Sequence, residues 1–118
     1  MPELPELEVI RDVLLRRIVD QPIINIEVIA PGGAVIVRDH TQSGFEKTLM
    51  GKTIQTITRR GKFLIFSFLS SGQPLFMVIN LKLTGRLRLS EPSEKRRKKT
   101  HIIFDFESSQ QLRYIDQK

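Results

Sequence analysis

A proline at position 2, followed by glutamates at 3, 6 and 8, is the part of this sequence best equipped for covalent chemistry. Removal of Met1 leaves Pro2 with a free secondary amine. Such an amine adds to an aldehyde-level carbon and, on losing water, gives an iminium ion, the same use of nitrogen as in a lysine Schiff base. Glu3 stands beside it as a proton donor or acceptor. Protonation of the amine is pulled two ways: a helix N-terminus disfavours the charged form and the carboxylates favour it, so the balance stays open. The same residues also make a sound start for any amphipathic helix. Their company further along the chain decides between these readings.

Three basic stations follow. Arg59, Arg60 and Lys62 surround Gly61, a residue that permits a bulge or a close backbone approach. Three cations there can hold phosphates. Residues 80–89, NLKLTGRLRL, run from a strand into a tight turn with Leu83 near its apex and leave with Arg86 and Arg88 on one face. An apolar residue on a turn flanked by cations can wedge into a base stack, although such a leucine more commonly packs into a core. The third station is the run Lys95-Arg96-Arg97-Lys98-Lys99 leading to His101; solvation alone explains such a run equally well.

These groups need elements to hold them. Pro5 suits a first helical turn, Glu6 and Glu8 complement its dipole, and Leu7, Ile10, Leu14 and Ile18 make one apolar face with Val13 beside them. Residues 20–22 break the helix. Strands are expected at 23–29, 34–38, 53–58, 62–69, 75–81, 86–90, 101–106 and 112–115, with a turn at 31–33. A short helix is expected at 43–51, with Gly51 to end it. The fold class is therefore mainly β (α+β). The expected architecture is an antiparallel two-layer sandwich or flattened barrel, with an N-terminal helix and a second short helix capping it. Helices do not alternate with strands, which argues against a doubly wound sheet.

A chain of 118 residues suits one domain. No segment is long enough to cross a bilayer, and a soluble intracellular protein is the expectation. The absence of cysteine excludes disulfides, a thiol nucleophile and a thiolate metal site, and two isolated histidines do not make a metal centre. The net charge of +6 is lopsided: residues 1–58 carry six basic and eight acidic side chains, residues 59–118 thirteen and five. A basic second half suggests a polyanion partner, nucleic acid before membrane.

PELPELE at 2–8, RRGKFL at 59–64, NLKLTGRL at 80–87 and LRYID at 112–116 together resemble, in order and spacing, the N-terminal domain of the formamidopyrimidine-DNA glycosylase and endonuclease VIII family. The resemblance covers essentially the whole chain. It implies base-excision DNA repair by a bifunctional glycosylase and AP lyase that removes oxidised purines (8-oxoguanine, formamidopyrimidines) through an N-terminal proline Schiff base, followed by β-elimination. Residue by residue, it makes Pro2 the nucleophile at C1′ and Glu3 the acid–base group at the deoxyribose. Glu6 supports that geometry, and Lys62 contacts phosphate at the lesion and takes part in catalysis. Leu83 stands where the family usually has a methionine wedge, and Asn80 where it has a histidine. Lys118 falls on an arginine that reads the orphaned base, and lysine lacks the bidentate fork for that task. Arg59, Arg60, Lys82, Arg86, Lys99 and His101 complete the expected DNA-binding set.

The implied chemistry requires no metal or organic cofactor; relatives usually carry a structural zinc in a C-terminal finger. Residues 1–118 are expected to be the N-terminal catalytic domain, without the helix–two-turn–helix and finger domains, and so weak or inactive alone. Expected partners are damaged double-stranded DNA and abasic-site DNA rather than a membrane, with a cytoplasmic, nucleoid-associated location. A monomer is expected, with self-association through any face left open. Two rival readings remain. A tautomerase-like enzyme using Pro2 as a base leaves the basic half unexplained. A non-catalytic nucleic-acid-binding β module leaves the opening motif accidental.

Overall fold

The computed structural model describes residues 3–30, 44–82 and 84–117. Pro2, Leu83, Lys118, the turn expected at 31–33 and the strand expected at 34–38 lie outside the described residues. Helix α1 (Leu4–Arg17) begins with Pro5 in its first turn, where a missing N–H is harmless. Leu7, Leu14 and Ile18 are buried as the spacing predicts, while Ile10 and Val13 are only half-buried. Glu6 lies in the first turn, but Glu8 falls beyond it and meets arginines instead of the helix dipole.

After α1 come β1 (Ile23–Val28), the one-turn helix α2 (Phe45–Leu49), β2 (Ile54–Arg60), β3 (Phe63–Phe68), β4 (Leu75–Asn80), β5 (Gly85–Ser90), β6 (Thr100–Phe106) and β7 (Gln111–Asp116). Gly51 follows α2 at φ +82, a left-handed value that costs glycine little. Every expected strand among the described residues is present. The largest boundary shift is in β2, which runs on through Arg59 and Arg60.

All pairings are antiparallel, in a four-stranded sheet ordered β1-β6-β7-β5 and a three-stranded sheet ordered β2-β3-β4. Among the described strands the two sheets do not close on each other, so of the two expected architectures the sandwich holds and the barrel does not. One core joins Leu7, Leu14 and Ile18 of α1 with Ile57, Leu64 and Phe66 of one sheet and Phe104, Phe106 and Leu112 of the other. Each such side chain contributes about 1.5–3 kcal/mol by leaving water. α2 adds Leu49 and sets Phe45 edge-on to Phe104 at 6.0 Å. The connection from β4 to β5 passes from one sheet to the other. Its turn therefore stands at the end of the sandwich where several of the expected residues meet.

Candidate nucleic-acid interface

Arg60 pairs with Phe63, so Gly61 and Lys62 alone join β2 to β3. A two-residue hairpin favours a positive φ at its first central position, and Gly61 supplies φ +57. This glycine turns the chain rather than bulging it; the irregularity of this ladder falls between Ile54 and Thr56. The turn holds Lys62 exposed at its tip, with Arg60 exposed just before it.

Arg59 behaves differently from its neighbours. Its Nη1 donates to the Gly61 carbonyl and its Nη2 to Glu8 Oε1, both at 2.9 Å. The second oxygen of Glu8 forms an ion pair with Arg11 Nη2 at 2.6 Å. The side chain of Arg59 is only 22% exposed, so the guanidinium expected on phosphate is committed to tying α1 to the turn that carries Lys62. Glu3 is the helix N-cap, and its backbone N–H donates to Glu6 at 3.4 Å, one half of a capping box. Both carboxylates are exposed. Five residues of helix separate Glu3 from Glu8, about 7–8 Å of rise. A single arginine thus ties α1, at Glu8 in its second turn, to the Lys62 turn.

Asn80 lies directly across the ladder from Phe63, so the next turn starts beside the first. Its Oδ1 accepts the backbone N–H of Lys82 at 3.0 Å, which holds Lys82 at φ +55. Gly85 closes the turn through its N–H to the Leu81 carbonyl at 2.8 Å. A Cβ here would stand 2.5 Å from that oxygen and 2.9 Å from Tyr114 Oη, so the close approach requires glycine. The Asp116 carboxylate anchors the turn to β7: Thr84 Oγ1 donates to Oδ1, and the Tyr114 hydroxyl to Oδ2 at 3.0 Å. Burial, and then the Asp116 carboxylate, push the Tyr114 hydroxyl up to about 12.

The backbone N–H of Asp116 donates to the Lys99 carbonyl at 3.0 Å, which brings Lys99 to this same end. Lys82, Arg86 and Lys99 are exposed there, with Arg86 Nη1 on the Gly85 carbonyl at 2.8 Å. His101 departs from expectation. It is 8% exposed, with Nε2 2.8 Å from the Asp116 carbonyl, so its ring braces the β6–β7 pair instead of facing solvent.

The basic loop 91–99 is more than a solvated run. Arg113, 2% exposed in β7, gives its guanidinium to the carbonyls of Glu91 at 3.2 Å, Glu94 at 2.9 Å and Lys95 at 3.4 Å, and to Gln111 Oε1. Arg96 grips Glu27 of β1 through two contacts at 2.6 and 3.2 Å. The backbone N–H of Glu91, and more weakly Arg88, hold the Glu94 carboxyl below its ordinary range. The loop is thus laid along the four-stranded sheet, and it delivers Lys99 to the candidate interface.

Three features escaped the sequence reading. Glu8 and Arg11 are three residues apart, which was visible, but the contact from Glu8 to Arg59 spans 51 positions. Arg113 sits in a strand whose pattern gives no sign that a loop covers it. The Asp116 anchor depends on pairing β5 to β7, which motif spacing does not specify.

The profile of the "Formamidopyrimidine-DNA glycosylase N-terminal domain" matches residues 1–118. The chain is 36% identical over 116 residues to a formamidopyrimidine-DNA glycosylase of Shouchella clausii, and 41% identical over 119 residues to one of Lactococcus lactis subsp. cremoris. In both cases the match takes in 98% of this chain and 40% of the relative. Among solved structures, the Lactococcus lactis Fpg (MutM) in complex with DNA containing N7-benzyl-Fapy-dG superposes with a TM-score of 0.82 at 40% identity, over 98% of this chain and 40% of that one. The same enzyme with DNA containing an abasic site gives 0.80 at 38% identity, with the same coverage. The chain therefore spans about 40% of the length of these relatives.

Proposed function

The chain belongs to the formamidopyrimidine-DNA glycosylase family, as its N-terminal domain, and from this we propose that it works in base-excision repair of oxidised purines, supplying the nucleophile and one wall of the DNA site. The observation that carries the reading is the Arg59 bridge, which holds the helix bearing the N-terminal motif beside the turn bearing Lys62. A nucleophile and a phosphate-binding cation have to meet on one nucleotide, and this bridge brings their two elements together.

In the proposed reaction the Pro2 nitrogen attacks C1′ of the damaged nucleotide. The base leaves on its glycosidic nitrogen, and the deoxyribose ring opens with Glu3 donating to its oxygen. The resulting iminium withdraws electrons from C1′ and acidifies the C2′ proton. Glu3, left as a carboxylate by that donation, takes this proton; the electron pair forms a C2′–C3′ double bond and expels the 3′ phosphate, which breaks the strand. Water then hydrolyses the iminium and restores the amine. Lys62 binds the phosphate beside the reacting sugar, and Arg60, Lys82, Arg86 and Lys99 neutralise phosphates around it. Neither a metal nor an organic cofactor takes part in these steps. The protein would act wherever the cell keeps its DNA; among the described residues no helix is long and apolar enough to cross a membrane.

Strand scission tests this reading. The protein with a free Pro2 is expected to nick single-stranded DNA at a pre-formed abasic site, and the same protein retaining Met1 or an N-terminal tag is not. Equal scission by both forms would remove Pro2 from the mechanism.

A further inference from the structure

Between Glu46 and Glu91 the chain has no acidic side chain and eight basic ones. That stretch includes the whole of the three-stranded sheet, β2-β3-β4. Side chains directly opposite each other on neighbouring antiparallel strands share a face, with Cβ atoms about 4.5–5.5 Å apart. Arg60 is opposite Phe63 and Phe63 is opposite Asn80, so these three form one row at the end that carries Lys62. Behind it come a row of Thr58, Ile65 and Val78 and a row of Thr56, Ser67 and Phe76. Phe63 is 45% exposed while Leu64 beside it is fully buried, so the phenyl ring stands on the outer face of the sheet.

We propose that Phe63 is a stacking platform for an unpaired base of the DNA strand next to the abasic site, with Arg60 and Lys62 on the phosphates flanking that base. This rests on the repair reading above and adds to it a contact with a base. A phenyl ring with nearly half its surface in water contributes little to the core. Set between cations, it supplies the two components that hold single strands: charge for the backbone and a flat apolar face for a base. An intact duplex keeps its bases stacked inside, so the platform serves single-stranded DNA.

Charge and position select this occupant. A sheet without a carboxylate attracts a polyanion and repels basic partners. The cations of this face stand at one end of it, since the two rows behind carry none. That suits a strand passing the end of the sheet rather than a surface lying over all of it. Lys62 and Phe63 are adjacent, about 3.8 Å apart at Cα, so one nucleotide step meets both. Asn80 accepts the Lys82 N–H and so keeps the cation of the next turn close to the same row. A further strand on either edge would lie in the plane of the sheet and leave this face as it is. Stacking releases no counterions, so it changes affinity without changing the salt slope, whereas a phosphate contact changes both.

The chain contains no tryptophan, so Phe63→Trp places a single fluorescent reporter on the platform. The probe is a single-stranded oligonucleotide with one tetrahydrofuran abasic analogue, which binds without forming an iminium. Phe63→Trp is expected to bind it like the unaltered chain, with its fluorescence quenched by the stacked base. Phe76→Trp, at a 56% exposed position on the same face but about 13 Å further along the sheet, should stay unquenched. Phe63→Ala should weaken this binding between about 5-fold and 100-fold, with the log–log salt slope unchanged, and should leave binding to intact duplex as it was. Four results would overturn the proposal while leaving the repair reading in place: an unquenched Phe63→Trp, an equally quenched Phe76→Trp, an undiminished affinity in Phe63→Ala, or a slope flattened as by Lys62→Ala. A chain that neither binds nor nicks abasic DNA would overturn both.

Discussion

Lys82 adopts φ +55, a value that costs a non-glycine residue roughly 1 kcal/mol. It is held there by the Asn80 side chain and by the closing hydrogen bond from Gly85 to Leu81. A cation kept at a strained position on a turn is expected to work through its charge. Replacing it by glycine separates the two effects. Lys82→Gly should leave thermal stability unchanged or raise it by up to about 1 kcal/mol, while flattening the salt dependence of duplex DNA binding by about 0.9 in the log–log slope. A loss of stability with an unchanged slope would make Lys82 a structural residue. Arg59 should show the opposite pattern. Arg59→Ala removes the bridge from Glu8 to Gly61, so a cost of about 1–2 kcal/mol is expected in denaturant titration, for a pair that is only partly exposed. Its salt slope should stay close to that of the unaltered chain. A slope reduced as much as for Lys62→Ala would return Arg59 to the phosphate contacts.

At the scale of elements, the β4–β5 turn is fixed from three directions: by Asn80, by the close approach at Gly85 and by the Asp116 carboxylate on β7. Tyr114 reports on that anchor, and it is the only tyrosine in the chain. With its hydroxyl raised to about 12 in the folded state against 10.0 for the free group, the folded protein holds the phenolic proton more tightly than the unfolded one. The stability this provides is fully present below pH 10 and is lost as pH rises through about 12. An absorbance titration of tyrosinate should therefore give a midpoint near 12 that falls in Asp116→Asn; a midpoint near 10 in the unaltered chain would mean the anchor is not formed. Gly85→Ala should cost about 1–3 kcal/mol, because the added carbon meets a backbone oxygen that cannot step aside.

The elements themselves were largely legible in the sequence, because β-branched runs and Gly-, Pro- and Ser-rich breaks mark strands and turns locally. Their ends were not. β2 continues through Arg59 and Arg60 because β3 pairs with it up to the tip of the hairpin, and charge alone reads there as loop. The site was legible as a set of motifs, but the division of labour within it was not. Arg59 and Arg60 are neighbours of one type, and only the fold sends one inward to Glu8 and the other to solvent. His101 likewise reads as surface next to a basic run, until β7 places the Asp116 carbonyl against its ring.

At the scale of the whole molecule, the candidate interface is one-sided: two turns and Lys99 gathered at one end of a sandwich, with α1 tied to them through Glu8. Extruding a nucleotide from a duplex costs a few kcal/mol of unstacking and unpairing, and contacts present only in the extruded complex must offset that. Single-turnover rates on single-stranded abasic DNA are accordingly expected to exceed those on duplex carrying an oxidised guanine by a wide margin for this 118-residue chain. Comparable rates would show that these residues alone meet the cost of extrusion. The central claim is chemical: the amine of Pro2 makes the covalent bond to the sugar. The most direct test is to trap the complex with borohydride on abasic DNA, digest it and locate the adduct by mass spectrometry. The account predicts the sugar remnant on the peptide that begins at Pro2. An adduct on the peptide containing Lys62, with the Pro2 peptide unmodified, would contradict it.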